Sequence, residues 1–249
     1  MFKKRENRAL FAFVLFASVI FSICVSSNIF ISAADPVGPS EVISVWNETM
    51  NTTAAGFFNI SGGYIAALNL SATVQNTHWK AFVGWITAAF TLDDSAGSTI
   101  YDWSFAVTSG RVYATRDSST IEWNLIDCAD VATTLATEDV ALFHNISLRQ
   151  DTINTTFQTG THDLFYVAGT PFSANECPTL NTFVSDGTQD DDFEEMALYD
   201  GTSIIYATIL EPGLVGYDGN TYDFQMLVPE NGSQGFSGST AYYLYVELG

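Results

Sequence analysis

The stretch Thr221-Tyr222-Asp223-Phe224-Gln225-Met226-Leu227-Val228 decides how the rest of this chain is to be understood. Tyr222, Phe224, Met226 and Val228 fall on one side of an extended backbone, opposed by Thr221, Asp223 and Gln225. That period of two is what a half-buried strand requires. Thr99 to Val107 repeats it, with Tyr101, Trp103, Phe105 and Val107 opposing Asp102 and Ser104, which predicts that Trp103 fills a core. Further strand-like runs are Lys80 to Leu92, Arg111 to Arg116, Ile121 to Cys128, Leu164 to Ala168, Ser203 to Leu210 and Ala241 to Leu248. Aromatic and β-branched residues dominate them, as pleated surfaces favour. Asp93-Asp94-Ser95-Ala96-Gly97, Asp200-Gly201 and Asp218-Gly219-Asn220 supply turns between them. Residues 129–142 are the one helical candidate, with a short turn expected at 151–157. The expected fold class is therefore all-β, mainly an antiparallel β-sandwich or two packed sandwiches, with an N-terminal hydrophobic helix and one short helix near 129–142.

A faint echo runs through the body. Leu92-Asp93-Asp94 leads to Ile100-Tyr101, and Leu198-Tyr199-Asp200-Gly201 leads to Ile205-Tyr206. Duplication into sandwich regions 35–130 and 131–249 explains this, and so does convergent hairpin chemistry. Both readings stand at this point.

The N-terminus carries Lys3, Lys4, Arg5 and Arg8, then an apolar run whose extension from Leu10 to Ile31 covers 22 residues. Ser32-Ala33-Ala34 before Asp35-Pro36 suits cleavage after Ala34, so residues 1–34 are expected to be a signal peptide. The same 22 residues are long enough to span roughly 30 Å of hydrocarbon as an uncleaved anchor. Either way the basic flank leaves the body outside the cell. Membrane contact is expected only through residues 1–34.

Beyond residue 34, 4 Lys/Arg face 27 Asp/Glu, a formal charge of −23. Binding to a nucleic-acid backbone needs clustered cations, so nucleic acid is excluded as a partner, as is an anionic membrane surface. The same part of the chain holds 12 Asn and seven N-x-[ST] sequons, at Asn47, Asn51, Asn59, Asn69, Asn145, Asn154 and Asn231. Chance would place about two or three. Glycosylation of these asparagines is expected, and the acceptors should be exposed. In Tyr64 to Gln75, the alternation puts Asn69 on the wet face. Cys128 and Cys177 are the two cysteines of the exported part, and pair most simply as one disulfide.

The body also resembles a family of uncharacterised archaeal cell-surface proteins, exported and rich in sequons. The resemblance runs from about Gly62 to the C-terminus. It rests on Trp79-Lys80-Ala81-Phe82-Val83-Gly84, Thr91-Leu92-Asp93-Asp94, Tyr101-Asp102-Trp103 and Gly110-Arg111-Val112-Tyr113-Ala114-Thr115-Arg116. Phe193-Glu194-Glu195, Gly216 to Phe224, Val228-Pro229-Glu230-Asn231-Gly232 and Tyr243-Leu244-Tyr245-Val246-Glu247-Leu248 extend it. It implies an extracellular β-rich protein and carries over no activity and no site residues.

Catalytic signatures are missing from the sequence. There is no G-x-S-x-G, and Ser233, Ser237 and Ser239 lie in a Gly/Ser loop. His162-Asp163 are adjacent, so in a strand they point to opposite faces and form no dyad. His78, His144 and His162 show no metal-ligand spacing. Six carboxylates crowd Asp186, Asp190, Asp191, Asp192, Glu194 and Glu195, which reads as a solvated acidic loop, with weak Ca2+ binding or a glycosidase pair as the rival readings. No other cofactor is expected. Trp46, Trp79, Trp85, Trp103 and Trp123 fall in or beside strands, where core filling competes with sugar stacking on exposed rings.

Together these features predict a non-catalytic, glycosylated cell-surface protein of structural or adhesive function. The rivals are an extracellular carbohydrate- or calcium-binding module and, third, an extracellular hydrolase. Expected partners are other surface proteins or glycans. Self-association is open to the strand-like Glu41-Val42-Ile43-Ser44-Val45-Trp46, which follows a Pro36-Val37-Gly38-Pro39 leash and could complete a neighbour's sheet or pair within its own chain.

Overall fold

The computed structural model describes residues 35–39, 42, 62, 76–105, 107–144, 150–158 and 161–249. The targeting segment 1–34, most of the strand expected at 41–46, Trp46, and the sequons at Asn47, Asn51, Asn59, Asn69 and Asn145 lie outside those residues. Strand outweighs helix, 41% to 11%, and every strand pairing among the described residues is antiparallel.

In chain order the strands are β1 (Trp79–Gly84), β2 (Ala88–Asp93), β3 (Thr99–Phe105), β4 (Gly110–Thr115), β5 (Asp127–Cys128), β6 (Phe165–Val167) and β7 (Thr170–Phe172). They continue with β8 (Thr179–Phe183), β9 (Gln189–Tyr199), β10 (Ile204–Ile209), β11 (Leu214–Val215), β12 (Thr221–Tyr222), β13 (Phe224–Pro229) and β14 (Tyr243–Leu248). The main sheet runs β14-β4-β10-β9-β5, with β8 also paired to β9. Strands from both sides of residue 130 therefore share it.

Three of its strands are buried on both faces, which is why β4 and β10 lack a polar side. Val112 and Ala114 of β4, Ala197 of β9, and Ile204 and Tyr206 of β10 face one core. Phe224, Met226 and Val228 of β13 cover that core, where β1 and β13 form a two-stranded ribbon. Leu135 and Leu142 from the 131–142 segment, and Ile153 and Phe157, complete it. The alternate residues Tyr113, Met196, Leu198, Ile205 and Ala207 face a second core, closed by Ile121, Trp123, Ile126, and the β6–β7 hairpin through Phe165, Val167 and Phe172. Burying one large apolar side chain stabilises by about 2 kcal/mol, so both faces of the sheet contribute.

The helical candidate is present: Val131–Leu135 winds as a π-helix and Ala136–Ala141 continues as α-helix. Asp130 caps it, its side chain accepting from the Thr133 N–H at 2.7 Å. The short turn is the helix Ile153–Thr156. Four expectations fail. Lys80 to Leu92 is divided between β1 and β2, and Thr221 to Val228 at Asp223 between β12 and β13, each pair in different sheets. Ile121 to Cys128 is a 3-10 turn, Trp123–Leu125, followed by only two strand residues, because Trp123 and Ile126 turn inward to plug the second core. The supposed acidic loop is the start of the longest strand, β9, whose first residues are wet and whose remainder is buried.

Cys128 and Cys177 form the expected disulfide, 49 residues apart with Cα atoms 4.9 Å apart. His162 is locked to it. Its Nε2 accepts the Cys177 N–H at 2.9 Å, so Nδ1 carries the proton and donates to the Asp163 carbonyl at 2.7 Å. Both ring nitrogens serve the backbone, which accounts for this histidine structurally. Val37 pairs with Val246 of β14 in its own chain, at N···O distances of 3.0 and 2.8 Å.

Candidate functional site

Two surface features stand apart from the cores. The first is the β2–β3 hairpin, which forms a sheet of its own among the described residues. Its register sets Leu92 opposite Tyr101 and Thr91 opposite Asp102. Tyr101, Trp103 and Leu92 thus share one face, while Ile100, Asp102 and Thr91 share the other. The tip is built by Asp94, whose Oδ1 accepts the Ala96 and Ser98 N–H groups at 2.9 Å each, and by Gly97, whose φ of 81° suits glycine. Those N–H bonds, Ser98 first, hold the Asp94 carboxyl below its ordinary range.

Every residue from 91 to 103 is exposed. Ile100 is 75% exposed, Tyr101 54% and Trp103 48%, so the expectation that Trp103 fills a core is overturned. Alternation identified the apolar face correctly, but no second layer among the described residues covers it. The Tyr101 and Trp103 rings are 4.3 Å apart between centroids. The hairpin carries Asp93, Asp94 and Asp102 and no Lys or Arg. Chemically it offers aromatic faces beside hydrogen-bond acceptors.

The second feature is the loop after β13. Glu230 pins both its ends. Its carboxylate accepts the Asn231 N–H at 2.8 Å, the Thr240 N–H at 2.8 and 3.0 Å and the Thr240 hydroxyl, and pairs with the Lys80 ammonium at 2.6 Å. Burial works against ionisation of Glu230, but Lys80, Thr240 and Asn231 outweigh it and hold the pKa at about 2. The Gly232 N–H anchors the loop to the Leu142 carbonyl at 2.7 Å. Beside it lies a cleft of about 450 Å³ lined by Thr77, His78, Asn231, Ser233, Gln234, Gly235 and Phe236. His78 Nδ1 sits 3.4 Å from Asp151 Oδ2, and its ring meets His144 edge-on at 6.0 Å. His144 is fully buried, with Nε2 bonded to the Glu230 carbonyl at 2.6 Å.

The remaining expected residues are scattered. Asp186 caps its own turn by accepting from Thr188, Asp190 bonds the Asp192 N–H, and Asp191 is exposed. Glu194 and Glu195 are buried on opposite faces of β9. Glu194 accepts the Asp163 N–H at 2.8 and 3.1 Å, and Glu195 the Leu227 N–H at 2.6 Å. Burial raises both pKa values, Glu194 to about 7. Among the described residues no three His, Cys, Asp or Glu come together to hold a metal ion. Trp79 donates to the Asp151 carbonyl at 2.9 Å and packs on the first core, Trp123 is buried in the second, and Trp85 is exposed with its Nε1 on the Thr221 carbonyl.

Two sequons are described. Asn154 lies in the helix Ile153–Thr156, its N–H on Asp139 Oδ2 at 3.2 Å and its Oδ1 accepting the Thr152 hydroxyl at 2.7 Å. Asn231 lines the cleft, its Oδ1 accepting the Ser233 N–H at 2.9 Å and hydroxyl at 2.6 Å. Sequence reasoning missed the Lys80–Glu230–Thr240 pin, since no local pattern joins residues so far apart. One signal was available, because Lys80 is one of only 4 cations beyond residue 34. Among the described residues no helix is long and apolar enough to cross a membrane. No family model, no curated protein and no solved structure matches this chain.

Proposed function

We propose that this chain is an exported, N-glycosylated cell-surface protein that acts by adhesion or as a structural unit and catalyses no reaction. The observation that carries the reading is the β2–β3 hairpin, an arm whose Leu92, Ile100, Tyr101 and Trp103 all meet solvent. An isolated two-stranded ribbon is marginal in water, so an uncovered aromatic arm is better explained by a surface it contacts than by folding alone. Export is supported by the basic-apolar leader, the seven sequons and the disulfide, and the charge of −23 beyond residue 34 keeps such a surface soluble. The finer architecture fits the same reading: the β1–β13 ribbon serves as the second layer of a β-sandwich, and residues 1–34 as the exporting or anchoring helix. The resemblance to exported archaeal surface proteins belongs to this proposal as well. Its partners are other surface proteins or glycans.

A carbohydrate-binding role is the second reading, favoured by the Tyr101–Trp103 pair, whose faces suit the C–H side of a sugar ring. One experiment serves both. Cells displaying the intact chain or the Tyr101→Ala/Trp103→Ala variant are compared for adhesion to one another, and the purified proteins are titrated with neutral oligosaccharides by tryptophan fluorescence. Lost adhesion in the variant, with the folded core retained, supports the first reading, and saturable sugar-dependent quenching supports the second. Unchanged adhesion and no quenching would remove the hairpin from both.

A further inference from the structure

N-glycosylation needs an asparagine amide nitrogen free to attack and the hydroxyl two residues on held close to that amide. The two described sequons differ in this respect. In the helix Ile153–Thr156, side chains two apart point to different sides, so the hydroxyl of Thr156 cannot meet the amide of Asn154. That helix is held by bonds on both flanks: the Asn154 N–H goes to Asp139, and the Asn154 carbonyl accepts from Gln158 Nε2 at 2.5 Å. At Asn231 the opposite holds. The turn brings the Ser233 hydroxyl to 2.6 Å from Asn231 Oδ1, so the sequon hydroxyl bonds the oxygen of the acceptor amide on a half-exposed side chain, and the bonds of that turn engage Oδ1 and leave Nδ2 to react. The Glu230 pin and the Gly232 anchor keep the turn in that shape. Beside it is a cleft of about 450 Å³, within the range of small-ligand sites. Its wall includes Phe236, 42% exposed, with Gln234, Ser233 and His78 as polar neighbours.

We infer that Asn231, not Asn154, is the glycan-bearing sequon of this pair, and that its first sugar lies in the cleft against Phe236. The inference rests on the export reading above and deepens it by naming the site and what the sugar covers. In the reaction, Asn231 Nδ2 attacks the anomeric carbon of a lipid-pyrophosphate-linked sugar supplied by the export machinery. The N–C bond forms, the C–O bond to pyrophosphate breaks with its electron pair on oxygen, and the lipid pyrophosphate leaves as the acceptor of the one proton that Nδ2 gives up. The attached sugar turns an apolar face to Phe236 and its hydroxyls to the polar rim.

The test is the intact mass of the full chain exported from a glycosylating host, alongside Asn231→Gln, Ser233→Ala and Asn154→Gln. Asn231→Gln and Ser233→Ala should each lose one glycan mass, and Asn154→Gln should lose none. An unchanged mass in Asn231→Gln, or a loss in Asn154→Gln, overturns the site while leaving export intact. A chain retained in the cell with no sugar on any form overturns the export reading and this inference with it. For the cleft, release of the Asn231 glycan from folded protein by an N-glycanase should be about tenfold faster in Phe236→Ala than in the parent. Equal rates would place the sugar outside the cleft.

Discussion

Replacing Glu194 with glutamine should abolish a pH dependence that the wild-type fold carries. Glu194 is 1% exposed, and the hydrogen bonds its carboxyl accepts come from the Asp163 N–H. Burial is the main cause that pushes its pKa up to about 7 from an ordinary 4.5; the Asp163 N–H opposes it, and the charges of Asp163, Glu211 and Asp191 add to it. At about 1.4 kcal/mol per pKa unit, the rise corresponds to about 3 kcal/mol. The sign follows from proton counting. Between these two values the folded chain keeps a proton that the unfolded chain has released, so the contribution is whole below the unfolded pKa and is lost as pH climbs through the folded one. Glutamine retains an acceptor for Asp163 and cannot ionise. Urea titrations of both proteins from about pH 4 to about pH 8 give the difference in unfolding free energy. It should move by about 3 kcal/mol in favour of Glu194→Gln and level off above about pH 7. Comparing the two proteins cancels the titrating groups that do not interact with Glu194. A difference that stays constant with pH would refute the assignment of a buried, proton-holding carboxyl.

Three further outcomes are expected. Exchanging Cys128 and Cys177 for serine together should lower stability by about 4 kcal/mol in the chain-entropy account of a 49-residue separation, read from the urea midpoint. Gly110→Ala should cost about 3 kcal/mol or more, because Gly110 has φ 148° and an added Cβ would sit 2.3 Å from the Glu247 carbonyl oxygen; a melting temperature equal to wild type would contradict the packing of β4 on β14. Thermal melts in EDTA and in added calcium should superimpose, since Asp186, Asp190, Asp191, Asp192, Glu194 and Glu195 do not converge; a rise of several degrees with calcium would show that they do.

How much could be read beforehand depended on whether a segment's burial had one cause or several. The strand around Phe224 and Met226 was legible because its apolar residues share one face, although Gln225 on the other is buried as well, and the 131–141 helix because its apolar spacing is helical and Asp130 stands at its start. Strand β9 was not. Its first residues, Gln-Asp-Asp-Asp at 189–192, are near solvent, and its two glutamates are buried where backbone N–H groups distant in sequence, Asp163 before β6 and Leu227 within β13, receive them. Charge density spoke for a loop, while tertiary contacts made a central strand. Trp103 erred the other way, since period two reports which residues share a face but not whether anything lies against it. At the sequons, the sequence located both Asn154 and Asn231 and said nothing of the helix that hides one hydroxyl or the turn that presents the other.

The order β14-β4-β10 has a temporal consequence. Gly110–Thr115 sits between a strand that begins at Ile204 and one that begins at Tyr243, so neither neighbour exists when β4 is synthesised. Its apolar residues and both its edges stay unsatisfied until synthesis has advanced from Thr115 to Ile204, and one edge stays open until Tyr243–Leu248 arrives. Such long-range closure is slow, and it leaves a newly made chain dependent on whatever shields Val112, Tyr113 and Ala114 in the interval.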